Sequence, residues 1–465
     1  MIWRRLFFCT LFLCLLLAVR LPFLSNQLVG EEGDFAFLIA NPTPSAHLSS
    51  DGLPNNLIGN LDGDYLLNKM QHPILPYLFL EDVVGSFVRP MDVLSQAPTT
   101  RIVIVRSAFL ALFLIGAVGL AWLAAASSPS ARLWGFFPAV LIPLYALTTP
   151  LAVGGSLQPQ VDGGFGVMLN GIAAALLLPA PGRGASRWRF LLAGTLMGLG
   201  RAEWTLGFGA AAAIVMLCAR SAKAPRDVHV LCLALLGGLA IGLAIAVAAS
   251  PADYWASFAV AERVFNLMSP WDLARRDLRY VVPVCIFLCI IAFAIAHRFA
   301  SLIKEAPGPL IAAVSGAAIF AGFATSGWPG DGFPRYYAPA LTLCAYCATW
   351  LYIAHAGLWP IVVRGGATLL LWAGLAWNAQ YLIQAREANV SITSSPGLDL
   401  TVLTQRYAAA VELAKPDGPL PLVGAGIWLT YPHTNFFAEG MGYPGALAYL
   451  GRKYPDWVKR LMPPQ

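Results

Sequence analysis

The sequence predicts an all-α polytopic membrane protein, and three observations predict it. Of 465 residues, 58% are hydrophobic and only 12% charged, where soluble domains carry roughly 45–50% and about 25%. The apolar residues run in continuous stretches rather than alternating, which selects spanning helices over barrel strands. Lys and Arg gather in alternate short connections, the pattern of cytoplasmic loops. This composition excludes a disordered chain and argues against a soluble enzyme. A net charge of +6 spread over such a chain is no sign of a nucleic-acid partner.

A spanning helix needs about 20 mostly apolar residues. Candidates fall near 6–22, 102–126, 133–149, 164–180, 190–200, 204–219, 228–249, 280–297, 308–326, 336–357 and 365–383. That predicts a bundle of about eleven helices, two of them short. The first follows Arg4 and Arg5 and runs into Arg20-Leu21-Pro22-Phe23 with no small-x-small cleavage site. It therefore reads as a retained helix rather than a removed signal. With the N-terminus inside, the inner connections hold twelve basic residues (Arg4, Arg5, Arg132, Arg183, Arg187, Arg189, Arg220, Lys223, Arg226, Arg298, Lys304, Arg364) against Asp227 and Glu305. The outer loop 23–101 holds nine acids and three basic residues. Merging 190–200 with 204–219 would put the basic 220–227 segment on the outer side, so the two are kept as separate spans.

Two regions follow from this count: a membrane module over 1–383 and a small outer segment over 384–465. Within the first outer loop, 41–60 is rich in turn formers, and 74–88 reads as an interfacial helix. Segments 151–163 and 250–279 are the other outer connections. The latter mixes Tyr254, Trp255, Phe258, Phe265 and Trp271 with Arg263, Arg275, Arg276 and Arg279, a pairing suited to headgroup depth and phosphate oxygens, or to a plain interfacial anchor. In the tail, Pro419–Gly426 reads as a buried strand, followed by a loop with Trp428, Tyr431, His433 and Asn435. All eight cysteines fall within or at the ends of apolar spans. Cys344-x-x-Cys347 is therefore read as packing rather than redox chemistry.

Several polar residues need a reason in such a chain. Glu31-Glu32-Gly33-Asp34 places three acids just beyond the first span, a setting for a general base or a hydroxyl anchor, or else a solvated turn. Gln158 and Asp162 sit at the mouth of the third and fourth spans, where Asp162 also suits a helix N-terminus. Arg201 and Glu203 lie between two short apolar segments, where charge at membrane depth points to a cavity. Arg335 and Tyr336 open the tenth span, where an arginine fork can hold a phosphate or snorkel to the interface. His47, His72, His433 and Asp62-Gly63-Asp64 match no metal-ligand spacing. On the predicted topology all these residues emerge on the outer side.

Taken in order, the motifs resemble those of the GT-C superfamily of membrane glycosyltransferases, in the branch of the lipid A aminoarabinose transferase and the protein O-mannosyltransferases. Arg20-Leu21-Pro22-Phe23-Leu24 resembles the end of that branch's first helix. Glu31-Glu32-Gly33-Asp34-Phe35-Ala36 stands where its acidic signature stands, and Gln71-His72-Pro73-Ile74-Leu75 where its Pro-Leu segment stands. Arg106 is similar to the Arg opening the second helix, and Asp162 to the later acid. Gly198-Leu199-Gly200-Arg201 and Arg335-Tyr336-Tyr337-Ala338-Pro339 complete the series, which covers roughly 4–360. The family has Asp where this chain has Glu31, which brings Asp34 forward as a second candidate.

The resemblance implies transfer of a sugar from a polyprenyl-phosphate carrier to a lipid, glycan or protein acceptor on the non-cytoplasmic face. Glu31, Asp34 and Glu32 are then the expected catalytic acids. Arg335, Tyr336, Arg201, Arg275 and Arg276 are the expected donor-phosphate ligands. Asp162, His72, Gln158 and Glu203 would line the acceptor and sugar pocket. No cofactor is required, and a divalent metal is left open. The partners implied are the lipid-linked donor and membrane lipids, and the expected location is a bacterial inner membrane with the site and C-terminus on the periplasmic side. A transporter or flippase, and a polymerase or ligase of lipid-linked glycans, are the alternatives.

Overall fold

The computed structural model describes residues 2–25, 79–94, 98–125, 133–158, 161–178, 185–249, 302–304, 307–325, 334–355, 361–387, 428–431 and 436–439. The described chain is almost entirely helical. In order come α1 (Ile2–Arg20), α2 (Gly85–Leu94), α3 (Pro98–Ala125), α4 (Leu133–Thr148), α5 (Pro150–Leu157), α6 (Gly166–Leu177), α7 (Arg187–Gly198), α8 (Ala202–Ser221), α9 (Arg226–Ala249), α10 (Pro307–Thr325), α11 (Pro334–His355) and α12 (Ile361–Glu387). Short 3-10 and π-helical turns cover Leu21–Phe23, Phe79–Val84 and Val161–Phe165. Trp428–Tyr431 (β1) and Phe436–Glu439 (β2) form an antiparallel pair.

Five of these helices are long and apolar enough to cross a membrane: Arg5–Phe23, Val103–Ala125, Ala202–Ser221, Arg226–Ala248 and Tyr337–Ala354. A sixth is counted if α4 and α5, bent by 61° at their junction, make one span. Large apolar side chains on the outer faces, such as Leu206 at 66% and Leu370 at 76% exposure, suit hydrocarbon rather than water. The chain is an integral membrane protein.

Lipid offers no hydrophobic gain for helix pairing, so small residues that let backbones approach decide the contacts. The tightest pair shows this. Gly194 and Gly198 of α7 meet the backbone of α9 near Leu235, Leu239 and Gly242, while Gly238 and Gly242 of α9 meet Leu191, Thr195 and Gly198 of α7. Rising numbers on one helix match rising numbers on the other, so α7 and α9 are parallel. Arg187 and Asp227, near their N-termini, lie 3.4 Å apart. The intervening α8 therefore runs the opposite way, and Leu199-Gly200-Arg201 is a reversal. This agrees with keeping 190–200 and 204–219 apart.

The same reading orders the other helices. Gly164 lies against Phe109, and Gly171 against Gly116, so α6 is parallel to α3. Arg5 stacks 5.7 Å over Trp122 and Arg20 4.0 Å over Phe113, so α1 is antiparallel to α3. Cys347 donates to Pro309 O while Cys344 touches Gly316, so α10 and α11 are antiparallel. Asn378 donates to Tyr145 O at 3.2 Å while Gly374 rests on the Tyr145 ring, so α12 is parallel to α4. One end of the bundle thus holds Arg5, Arg187, Arg220, Lys223, Arg226 and Arg364. The other holds Arg20, Arg106, Asp162 and Arg201.

Three expectations change. Segment 151–163 is not a loop: Pro150–Leu157 is a helix with every residue buried. Thr149, in extended backbone, accepts from Ala152 N–H at 3.2 Å, and Pro150 opens the turn, a favourable start that also creates the bend. The interfacial helix expected over 74–88 continues to Leu94, with Leu80, Val84 and Val88 buried and Val83, Phe87 and Met91 exposed one turn apart, while 74–78 lie outside the described residues. In the tail, Trp428 and Tyr431 belong to a strand rather than a loop, where the aromatic Trp428 and Tyr431 and the β-branched Thr430 favour extended backbone. Segment 419–426 lies outside the described residues, as do the outer segment 250–279 and the candidate span 280–297. Cys9, Cys14, Cys218, Cys232, Cys344 and Cys347 are free thiols.

Candidate functional site

The site is assembled where α5, the π-helical turn and α8 meet. Gly163 and Gly164 allow that turn to form. A side chain on Gly163 would strike the carbonyls of Gln158 and Gly155, and one on Gly164 the carbonyl of Phe109. The two glycines therefore fold Val161–Phe165 back onto the end of α5 and against α3. Gly163 leaves the helical region (φ −72°, ψ −125°), so the turn leads into α6 across a kink. Its acid is Asp162, with its side chain 4% exposed.

Arg201 arrives from the reversal before α8. Its backbone is extended (φ −72°, ψ 150°), and Glu203 follows in the first helical turn, where a carboxylate suits the positive end of the helix dipole. Arg201 Nε donates to Glu203 Oε2 at 3.0 Å and Nη2 to Oε1 at 2.9 Å. Nη1 pairs with Asp162 Oδ1. Arg201 is 2% exposed and Glu203 23%. Among the described residues, one guanidinium thus holds two carboxylates.

The expected donor-phosphate ligand Arg201 thus has each of its three guanidinium nitrogens on a carboxylate. Arg201 is placed as a positioning residue for Asp162 and Glu203. Gln158, 1% exposed, ends α5 four residues before Asp162, so both expected pocket residues lie at this junction.

Two further arginines, both fully buried, hold the chain that leads away from this end. Arg20 Nε donates to Ser156 Oγ at 2.7 Å, Nη2 to Leu147 O at 2.7 Å, and Nη1 to Leu16 O at 3.0 Å. It ties α1 to both limbs of the bent α4–α5 pair. Arg106 Nη1 donates to Phe23 O at 3.1 Å and Leu24 O at 3.4 Å. It holds the exit from α1, the segment that leads toward Glu31. Phe79 meets Phe165 with ring centroids 5.2 Å apart, joining the segment before α2 to the Asp162 turn.

No family model, curated protein or solved structure matches the chain.

Of the remaining candidates, Arg335 and Tyr336 stand in the first turn of α11, one turn before Pro339. Pro339 reaches Gly166, the first residue of α6. Glu31, Glu32, Asp34, His72, Arg275 and Arg276 lie outside the described residues, as do His47, Asp62, Asp64 and His433. Among the described residues no group of three or more His, Cys, Asp or Glu gathers as a metal site would. Sequence reasoning passed over Ser156, Asn170 and Trp204. Asn170, alone and polar within Val167-Met-Leu-Asn170-Gly171, carried a signal that was available: a polar group at membrane depth is costly unless it has a task.

Proposed function

We propose that the chain is a GT-C-type glycosyltransferase that takes a sugar from a polyprenyl-phosphate carrier, within a bundle of about eleven spans. The observation that carries this reading is the hold of Arg106 on Phe23 and Leu24. It secures the backbone seven residues ahead of Glu31, at the same end of the bundle as the Asp162–Arg201–Glu203 cluster. In this reading the acid of the first outer loop works beside the buried Asp162–Arg201–Glu203 groups.

In this reading Glu31 or Asp34 takes the proton of the acceptor hydroxyl as its oxygen attacks the anomeric carbon. The bond from that carbon to the phosphate oxygen breaks, and configuration inverts. Arg335, Tyr336, Arg275 and Arg276 meet the charge that grows on the leaving phosphate. Asp162, Gln158, Glu203 and His72 line the sugar and acceptor side, with Arg201 orienting the two acids. The basic end with Arg187, Lys223 and Arg364 is the cytoplasmic one under the positive-inside rule, which sets the site on the periplasmic side of a bacterial inner membrane. The test is transfer by purified Glu31→Gln and Asp34→Asn variants with polyprenyl-phosphate sugar donors. Loss in one variant is expected, and full transfer by both rejects the assignment.

A second reading has its own observation. The 61° bend between α4 and α5 and the reversal at Leu199-Gly200-Arg201 are two broken elements at one end, and transporters build substrate sites from such breaks. Movement of a lipid-linked sugar across proteoliposomes without any donor-dependent transfer would favour a flippase. A lipid-linked glycan polymerase or ligase would instead lengthen or attach the glycan.

A further inference from the structure

Two buried side chains converge on Gly166. Asn170, 0% exposed, donates Nδ2 to Gly166 O at 2.9 Å. That contact fixes which way the amide faces. Its Oδ1 then has no hydrogen-bond partner among the described residues. From α8, Trp204, also 0% exposed, lays its six-membered ring against the same glycine. Cζ2 stands 2.9 Å and Cη2 3.0 Å from where a Cβ on Gly166 would be, with the Pro339 ring beside them. Cζ2 is bonded to Cε2, the ring carbon that carries Nε1, and Nε1 likewise has no partner among the described residues.

An orphan donor on one helix and an orphan acceptor on the facing helix therefore flank one glycine. Each such group, buried and unpaired, destabilises the fold. Their chemistry selects the guest that would satisfy both. A carboxylate or phosphate accepts from Trp204 but repels the Asn170 carbonyl. An ammonium donates to Asn170 but opposes the indole N–H. A hydroxyl oxygen accepts from the first and donates to the second.

We infer that Trp204 and Asn170 form a binding site for one hydroxyl group between α6 and α8. Chain proximity supports its place: Gly166 follows Asp162 by four residues, and Trp204 follows Arg201 by three and Glu203 directly. The ion cluster, whose Glu203 is its part-exposed member, is therefore a near neighbour in both chain segments. The hydroxyl belongs either to an ordered water or to a sugar. The sugar source rests on the transferase reading, and the bridge itself does not.

A double-mutant cycle on the full chain in detergent tests it, with Trp204→Phe, Asn170→Leu and the combination. Thermal unfolding is read without ligand, with undecaprenyl-phosphate glucose, and with undecaprenyl phosphate alone. With the hydroxyl in place, each single variant is expected to lower the midpoint, and the double variant to lower it by less than the sum, because no valence is left unpaired. Losses that simply add in every condition overturn the site. If the sugar supplies the hydroxyl, only the glucose-bearing lipid raises the wild-type midpoint, and the double variant binds it about tenfold more weakly, equivalent to about 1.4 kcal/mol. If water supplies it, non-additivity is present without ligand and any ligand shift is the same in all variants. Should Trp204→Phe fail to fold, maps of the wild-type protein with and without the glucose lipid decide. An oxygen peak within hydrogen-bond reach of both Nε1 and Oδ1 is expected in at least one, and its absence from both overturns the site.

Discussion

Arg201 and Asp162, 39 positions apart in the chain, form a buried ion pair that joins the start of α8 to the π-helical turn before α6. Removing one partner strands the other charge in a low-dielectric setting, which costs about 3–5 kcal/mol. Arg201→Ala is expected to destabilise by that amount. Glu203→Gln, whose site is part exposed and keeps its shape, should cost under about 1 kcal/mol. Equilibrium unfolding in mixed micelles measures both, and equal losses would contradict the burial difference.

Arg20 serves Ser156, Leu147 and Leu16 at once. Lysine reaches one of these acceptors and leaves the others without a donor, so Arg20→Lys should cost about 2–4 kcal/mol, while Ser156→Ala costs about 1 kcal/mol. The two losses should be sub-additive, since they share a bond. Thermal unfolding of the single and double variants checks this.

Adjacent glycines on α9 make a controlled comparison. A Cβ on Gly238 would strike Leu191 and Thr195, whereas one on Gly237 finds only Leu191 Cδ1 at 3.9 Å. Gly238→Ala should destabilise by about 1–3 kcal/mol through overpacking. Gly237→Ala should be neutral or stabilise by up to about 1 kcal/mol, as alanine favours a helix. The same unfolding assay separates them, and similar losses at both would argue against the close α7–α9 approach.

Parallel α7 and α9 place Lys223 and Glu203 at opposite ends of α8. Single cysteines at these positions, in a background without native thiols, should react with a membrane-impermeant maleimide from opposite faces. Lys223→Cys is expected to label only in inverted vesicles. Labelling of both from one face would reject the reversal at Leu199-Gly200-Arg201.

Much of the helix order was legible because apolar runs and their basic connections are local properties of the chain. The reversal before α8 could be read from charge alone, since Arg220, Lys223 and Arg226 had to rejoin the end that holds Arg187. The buried helix α5 could not. Eight residues are too few for a span, and Gln158-Pro159-Gln160 looks like a loop. Its burial depends on Arg20, more than 120 positions away. The pairing of Arg201 with Asp162 was hidden for the same reason: the two stand 39 positions apart, and only the fold brings them together. Nothing in the sequence marked Trp204, because Gly166 and Gly200, which make room for it inside, are brought to it only by the fold.

The parallel pairing of α7 and α9 bears on how the chain enters the membrane. Twelve residues of helix extend about 18 Å, well short of the ~30 Å hydrocarbon core. α7 therefore leaves the synthesis machinery as a segment too short to settle by itself. Its lasting partner emerges only after α8 has turned back. Insertion here is a three-helix event, in which an early, incomplete segment waits for a later one to give its glycines a surface to meet.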